Sequence, residues 1–173
     1  MSRFAPMLGL LALGLAALLP AGCAHYQLGT GASVKFTTLY LAPVRCDVSI
    51  PQAQVLFTTQ LREAFIQDGR ITLVNSAEGA DAVLQITLLG FDRKVVVSLP
   101  SDKGLARRFD ESLRAQATLI DNRTQQPLFS NRPITVQRGV FTDSGQIPAE
   151  YQALPLLAEQ LAGESVHAVL DTW

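Results

Sequence analysis

The sequence predicts an α+β domain, with two helices packed on one face of a four- to five-stranded mixed or antiparallel sheet. Three observations carry that expectation. Segments rich in β-branched and aromatic residues with period-two alternation follow one another through the middle of the chain. Two segments with apolar residues at helical spacing flank them, one early and one at the end. The most regular alternating segment is apolar on one side and polar on the other, as in a sheet covered on a single face. The resulting order is strand, helix, four strands, helix, which lets both helices cover the same face.

Each element has its own signals. A first strand is expected over Phe36 to Val44 (FTTLYLAPV), closed by Pro43 and the polar residues after it. Residues 51–68 place Phe57, Leu61, Ala64 and Phe65 on one helical stripe, with Pro51 suited to the first turn and Gly69 to the C-terminal stop. A short strand from Arg70 to Val74 and the turn-rich NSAEGAD lead into a long extended stretch, Ala82 to Ser98. Its parity changes midway: Ala82, Leu84, Ile86 and Leu88 form one apolar row, whereas Phe91, Val95 and Val97 occupy the other parity. One inserted residue exchanges the two faces of a strand, so a bulge or bend is expected at Gly90. After LPSDKG, the stretch from Arg107 to Ile120 sets Phe109, Leu113, Ala115, Ala117 and Leu119 against Arg108, Asp110, Ser112, Arg114, Gln116 and Thr118. DNRTQQP turns into a last strand near Leu128 to Val140, where Pro133 argues for an edge position or a bulge. From Pro148 the chain is helical to near Trp173, with a stripe of Leu154, Leu157, Ala158, Leu161, Val166, Val169 and Leu170 that continues past Pro155.

The N-terminus is different in kind. The 173-residue chain is 48% hydrophobic and 17% charged, with 14 basic against 15 acidic side chains, which excludes general disorder and gives no ground for a nucleic-acid partner. Residues 7–19, MLGLLALGLAALL, are uncharged and follow a start whose basic side chain is Arg3. Such a run covers roughly 20 Å as a helix, short of the ~30 Å hydrocarbon core, and is the pattern of a signal peptide over residues 1–22. The sequence LLPAGC that follows resembles a bacterial lipobox, with Pro20 where Leu is usual, so that Cys23 would be acylated and become the mature N-terminus. Residues 23–34 are then a lipidated tether and 35–173 a single α+β domain. The competing reading is an ordinary signal peptide with Cys23 paired to Cys46 in an oxidising compartment. If Cys23 is acylated, Cys46 is a lone thiol, expected as a small buried residue rather than a nucleophile.

Groups for catalysis are scarce. The histidines are His25, beside the expected anchor, and His167, on the final helix; neither lies in a nucleophile, metal or phosphate-loop motif, and an exposed, non-catalytic His167 is expected. A Cys46–His167 pair is a formal possibility without a signature. Asp110 and Glu111 are adjacent on a strand and face opposite ways, so they cannot share a proton; they are expected to be solvated or paired with arginines. Asn122-Arg123-Thr124 is read as a turn. No catalytic residue, metal site or cofactor is expected beyond the covalent lipid on Cys23.

Charge placement says more. Residues 93–138 carry nine basic and four acidic side chains, whereas 139–173 carry five acids and no Lys or Arg. The strand arginines either lie over the helix acids as surface charge or present a site for a phosphate-bearing lipid. A hairpin gathers Arg93, Lys94, Arg107 and Arg108 near one end, and these four are the candidate lipid-binding residues, with one of each adjacent pair on a given face.

These residues also resemble a family. Gly22-Cys23-Ala24-His25-Tyr26-Gln27-Leu28, the strand Leu39-Tyr40-Leu41-Ala42-Pro43-Val44, LREAFIQDGRITLV from Leu61 and ADAVLQITLLGF from Ala80 look like the lipopolysaccharide-assembly lipoproteins, LptE, as does a final helix closing on Trp173. The resemblance covers nearly all of the mature chain and is strongest between Leu61 and Phe91. It implies a non-enzymatic outer-membrane lipoprotein on the periplasmic side. Such a protein sits inside a large β-barrel lipopolysaccharide translocon, supports the barrel's assembly and helps lipopolysaccharide reach the outer leaflet. The partners implied are that barrel, lipopolysaccharide and the inner leaflet of the outer membrane. The alternative is a lipoprotein of another secretion or envelope-assembly channel, since the strand, helix, DGR, strand, ADAVL rhythm is shared with such proteins.

Overall fold

The computed structural model describes residues 34–50, 52–98, 106–141 and 146–171, all within one unit that runs from Ala32 to Trp173. Six strands form one mixed sheet: β1 (Thr38–Leu41), β2 (Arg45–Cys46), β3 (Thr72–Val74), β4 (Ala82–Ser98), β5 (Ala106–Asp121) and β6 (Pro127–Phe141). Helix α1 (Ala53–Asp68) and helix α2 (Gln146–Leu170) pack together against it. The strand order is β3-β1-β4-β5-β6, with β2 also on β4. Pairings among β1, β2, β3 and β4 are parallel, whereas β4–β5 and β5–β6 are antiparallel.

The expected first strand is divided. β1 pairs with β4 from Leu39 opposite Ala82 to Leu41 opposite Leu84, and β2 resumes with Arg45 opposite Thr87. Pro43 explains the gap, because it has no N–H to give the ladder. The loop residue Val44 donates its N–H to Thr58 Oγ1 at 3.1 Å, and that hydroxyl donates to Gln54 O at 2.6 Å, which ties the gap to α1.

α1 buries Ala53, Phe57, Leu61 and Phe65 at four-residue spacing, with Ala64 partly covered. Each fully buried Phe or Leu contributes about 1.5–3 kcal/mol from the area it removes from water. The helix begins after Gln52, whose φ of 59° is left-handed, and Pro51 lies outside the described residues. It stops at Gly69, where φ is 73° and the N–H bonds to Phe65 O, a conformation glycine adopts without a Cβ clash. α2 continues through Pro155 and buries Leu157, Ala158, Leu161, Val166, Val169 and Leu170. It ends at Leu170; Trp173 lies outside the described residues.

β4 bulges where the parity of the sequence changes. Leu88 is opposite Ala115 but Gly90 is opposite Arg114, so Leu89 is the extra residue. The inner face therefore runs Leu84, Ile86, Leu88, then Phe91, against Leu119, Ala117, Ala115 and Leu113. β6 is an edge strand with its own irregularity before Pro133, since Asn131 has a φ of 51° and donates its N–H to Thr118 Oγ1 at 3.1 Å. Both readings of Pro133 thus hold together.

Loop residues join the layers by charge. Arg70 pairs with Asp68 at 2.8 Å and with Asp171 at 2.5 Å, linking the end of α1 to the end of α2. Two hydrogen bonds to Asp68 and one to Asp171 hold the guanidinium charged and press the Asp68 carboxyl below its usual range. At the start of β4, Asp81 Oδ2 accepts the Thr37 N–H at 3.0 Å, the Thr37 hydroxyl at 2.8 Å and the Thr38 N–H at 3.0 Å. Those donors, led by the Thr37 N–H, hold the Asp81 carboxyl far below the usual carboxylate range.

Candidate functional site

The sheet face away from the helices is open and polar along the β4–β6 region. Gln85, Thr87, Asp92 and Lys94 on β4 stand opposite Thr118, Gln116, Ser112 and Asp110 on β5. Thr135, Gln137 and Gly139 continue the rows on β6. Polar side chains at alternate positions leave this face for water or a polar partner, while the other parity supplies the core.

Arginines lie flat on this face because glycines make room for them. The Arg114 guanidinium rests on Gly90, where an added Cβ would come within 2.5 Å of it, and pairs with Asp92 at 2.9 Å. Arg108 rests on Gly139, pairs with Asp110 at 3.3 Å and covers the Phe141 ring at 5.6 Å. Its Nε is buried without a hydrogen-bond partner among the described residues, an orphaned donor on an otherwise paired cation. Gln137 adds a hydrogen bond to the second oxygen of Asp110 at 3.1 Å. Near the same end, Val95, Val96 and Phe141 are exposed, Phe141 to 62%. Cationic and apolar side chains thus occur together there, a combination suited to an amphiphile with anionic head and acyl chains.

The four basic residues named by the sequence divide between the faces. Lys94 is opposite Asp110 and shares the open face with Arg108. Arg93 is opposite Glu111 on the inner face, bonds it at 3.3 Å and lies 5.4 Å above the Phe109 ring. Arg107 belongs to β5 near the same end, and its side chain lies outside the described residues. Cys23 and the tether residues up to 33 also lie outside them, His25 included. Of the two environments expected for Glu111, water or an arginine, the structure gives the arginine, and the carboxylate is buried because its parity places it in the apolar row. Exposed Phe141 was not singled out from the sequence; its position one residue beyond the expected strand end is the signal that was available.

The remaining candidates for chemistry are held apart. Cys46 is a half-buried free thiol whose ionisation burial pushes up, with Asp47 adding to the shift. That makes the reactive thiolate scarcer. His167 is exposed and bonded through Nδ1 to Asp171 at 2.5 Å, beside β6, whereas Cys46 pairs with the other side of β4. Asn122 occupies a turn and donates its side-chain amide to Ala77 O and Ala80 O, at 2.6 and 2.9 Å. Among the described residues, no helix is long and apolar enough to cross a membrane.

The layers define an α+β protein, a mixed sheet with two helices on one face and a polar second face. The family model for lipopolysaccharide assembly, LptE, matches residues 36–166, and the chain belongs to that family. No curated protein matches it. Solved structures share the fold. An uncharacterized lipoprotein B from Nitrosomonas europaea is 22% identical, with a TM-score of 0.52, over 80% of this chain and 82% of that one. A Xanthomonas campestris protein is 17% identical with a TM-score of 0.55, over 78% and 90%. A PelC dodecamer subunit from Paraburkholderia phytofirmans is 13% identical with a TM-score of 0.53, over 83% and 95%.

Proposed function

We propose that the protein is an outer-membrane lipoprotein, acylated on Cys23 and facing the periplasm. In this reading it associates with the large β-barrel lipopolysaccharide translocon, plugs its lumen, and supports barrel assembly and insertion of lipopolysaccharide into the outer leaflet. Its part is binding rather than catalysis. The observation that carries the reading is the family match over residues 36–166, in a domain whose second sheet face is polar.

Physical chemistry supports the placement. A polar sheet face suits a water-filled barrel interior, which offers partners to groups that lipid would leave unsatisfied. The lipid on Cys23 would hold the domain at the inner leaflet, and the barrel supplies a second attachment. Lys94 and Arg108, with Arg107 near the same end, are the proposed contacts to lipopolysaccharide phosphates, where arginine's planar fork favours bidentate binding; Arg93, named with them from the sequence, is instead engaged by Glu111 on the other face.

Purification of the tagged, mature protein from solubilised outer membranes tests the reading. Stoichiometric recovery of one large β-barrel, together with an acylated Cys23 peptide in the mass spectrum, is the expected result. Recovery of a different export channel, or an unmodified N-terminus, would refute it.

A further inference from the structure

The outer edge of β6 is unprotected along half of its length. β6 is an edge strand of 15 residues, and among the described residues no other strand covers its outer side. An open edge presents a row of unpaired N–H and C=O groups, which proteins blunt with short strands, prolines, bulges or lysines. The opposite edge of the sheet is blunted in this way, since β3 has 3 residues. The first half of β6 is blunted by Pro127, the left-handed Asn131 and Pro133. From Ile134 to Phe141 there is no proline or lysine, and the register with β5 is unbroken. The charge in that run, Arg138, stands opposite Glu111 on the inner row. The run is a template for one more strand.

Helix α2 builds a wall beside this edge. Gln160, Gly163, Glu164 and His167 fall on one helical face, at i, i+3, i+4 and i+7. Between that face and residues 135–137 of β6 lies a cavity of about 320 Å³. A second, of about 370 Å³, continues it between residues 132–135 and Ala168 and Asp171, with Thr135, Glu164 and His167 bordering both. Gly163 adds to the space, since a Cβ there would meet no atom within 4 Å. The side chains of an added strand have room in this groove.

Charge selects the occupant. Arg132 donates to Ala168 O and covers the Phe129 ring, while Asp171 holds Arg70 and His167. Glu164 is exposed, borders both cavities and makes no hydrogen bond or ion pair among the described residues. Residues 139–173 contain no Lys or Arg to neutralise it. A second copy joined β6 to β6 about a two-fold axis would set two such helices side by side, acid against acid, which disfavours self-pairing. The closed wall of a barrel has no strand edge to give, so the occupant is a loop or a tail. We propose that β6, from Ile134 to Phe141, takes an extended segment of a partner chain as an added strand, with a Lys or Arg of that segment against Glu164. Backbone pairing supplies affinity there, and the basic side chain in the groove supplies selectivity. The surface depends neither on acylation of Cys23 nor on the lipid contacts of the open face.

The test is titration of the detergent-solubilised mature protein with a capped, fluorescein-labelled decapeptide of alternating Thr and Lys, read by fluorescence anisotropy. A decapeptide of alternating Thr and Glu, and the Thr–Lys peptide methylated at every backbone nitrogen, are the controls. Saturable binding of the first, about tenfold tighter than either control, is expected. Hydrogen exchange should slow at amides within Ile134–Phe141 and stay unchanged along β3. Gly163→Leu should weaken binding about tenfold by filling the groove, while the thermal midpoint holds or rises because glycine is the poorer helix former. Glu164→Gln should erase the preference for the Lys peptide over the Glu peptide. Absence of saturable binding, equal binding of the methylated peptide, unchanged exchange in β6, or wild-type binding by Gly163→Leu overturns the proposal. Should Gly163→Leu lower the midpoint, Glu164→Gln decides instead, and an undiminished preference for Lys overturns it. A wild-type dimer in sedimentation, with the β6 amides protected before peptide is added, would give the edge to a second copy and overturn it as well.

Discussion

Glu111 lies directly opposite Arg93 across the β4–β5 ladder, on the face covered by the helices, and is 1% exposed while it accepts a hydrogen bond from Arg93 Nε at 3.3 Å. Arg138 stands opposite Glu111 on β6, so a basic, an acidic and a basic residue form one row across three strands. Glu111 is buried whereas Arg93 keeps contact with water, so Glu111→Ala truncates a buried, hydrogen-bonded side chain and leaves a solvated guanidinium. It should lower the unfolding free energy by about 1–3 kcal/mol, measured by urea denaturation. Glu111→Gln keeps the volume and one acceptor and should cost less; equal losses would point to packing rather than charge.

Asp81 makes the fold sensitive to acid. Its carboxyl is depressed in the folded state, so its contribution is complete above its unfolded range near pH 4 and is lost as pH falls toward the folded value. Thermal midpoints of the wild type should drop below about pH 4 more steeply than those of Asp81→Asn, which has no such proton to take up. Parallel acid limbs for the two proteins would contradict the assignment.

Phe65→Ala should cost about 3–5 kcal/mol, because the side chain is fully buried in the hydrophobic core. Its neighbour Ile66 is 63% exposed, and Ile66→Ala should stay within about 0.5 kcal/mol. Equal shifts in the denaturation midpoint would mean that the buried stripe is on another face.

The stripe through Phe57, Leu61 and Phe65 and the alternation along β5 were legible because each is a local period repeated several times. The parity flip also located the bulge to within one residue, at Leu89 beside Gly90. β2 was not legible, since a two-residue strand has no period and exists by its pairing with Thr87 and Leu88. Glu111 shows a conflict between signals: parity put it in the dry row, residue type argued for water, and the pairing with Arg93 let parity prevail. The hydrogen bonds of Asp81 to Thr37 and Thr38 join segments more than forty residues apart, and no local pattern could have assembled them.

The two faces of the basic hairpin separate a lipid-binding role from a structural one. Lys94 and Arg108 share the open face with exposed Phe141, whereas Arg93 is engaged with Glu111 under the helices. Charge reversal at Lys94 and Arg108 together places four acids near one end of the face, counting Asp92 and Asp110, and should weaken lipopolysaccharide binding most at low salt. The thermal midpoint should move little, because Arg108 loses one partly exposed ion pair worth about 1 kcal/mol or less. Arg93→Glu should do the reverse: like charges meet across the ladder beside buried Glu111, and the fold loses stability before any effect on lipid is read. Binding measured at two ionic strengths, with the midpoint of each variant, distinguishes these outcomes. If Lys94→Glu with Arg108→Glu binds lipopolysaccharide as the wild type does at low salt, the open-face cations are surface charge and the lipid contact lies elsewhere.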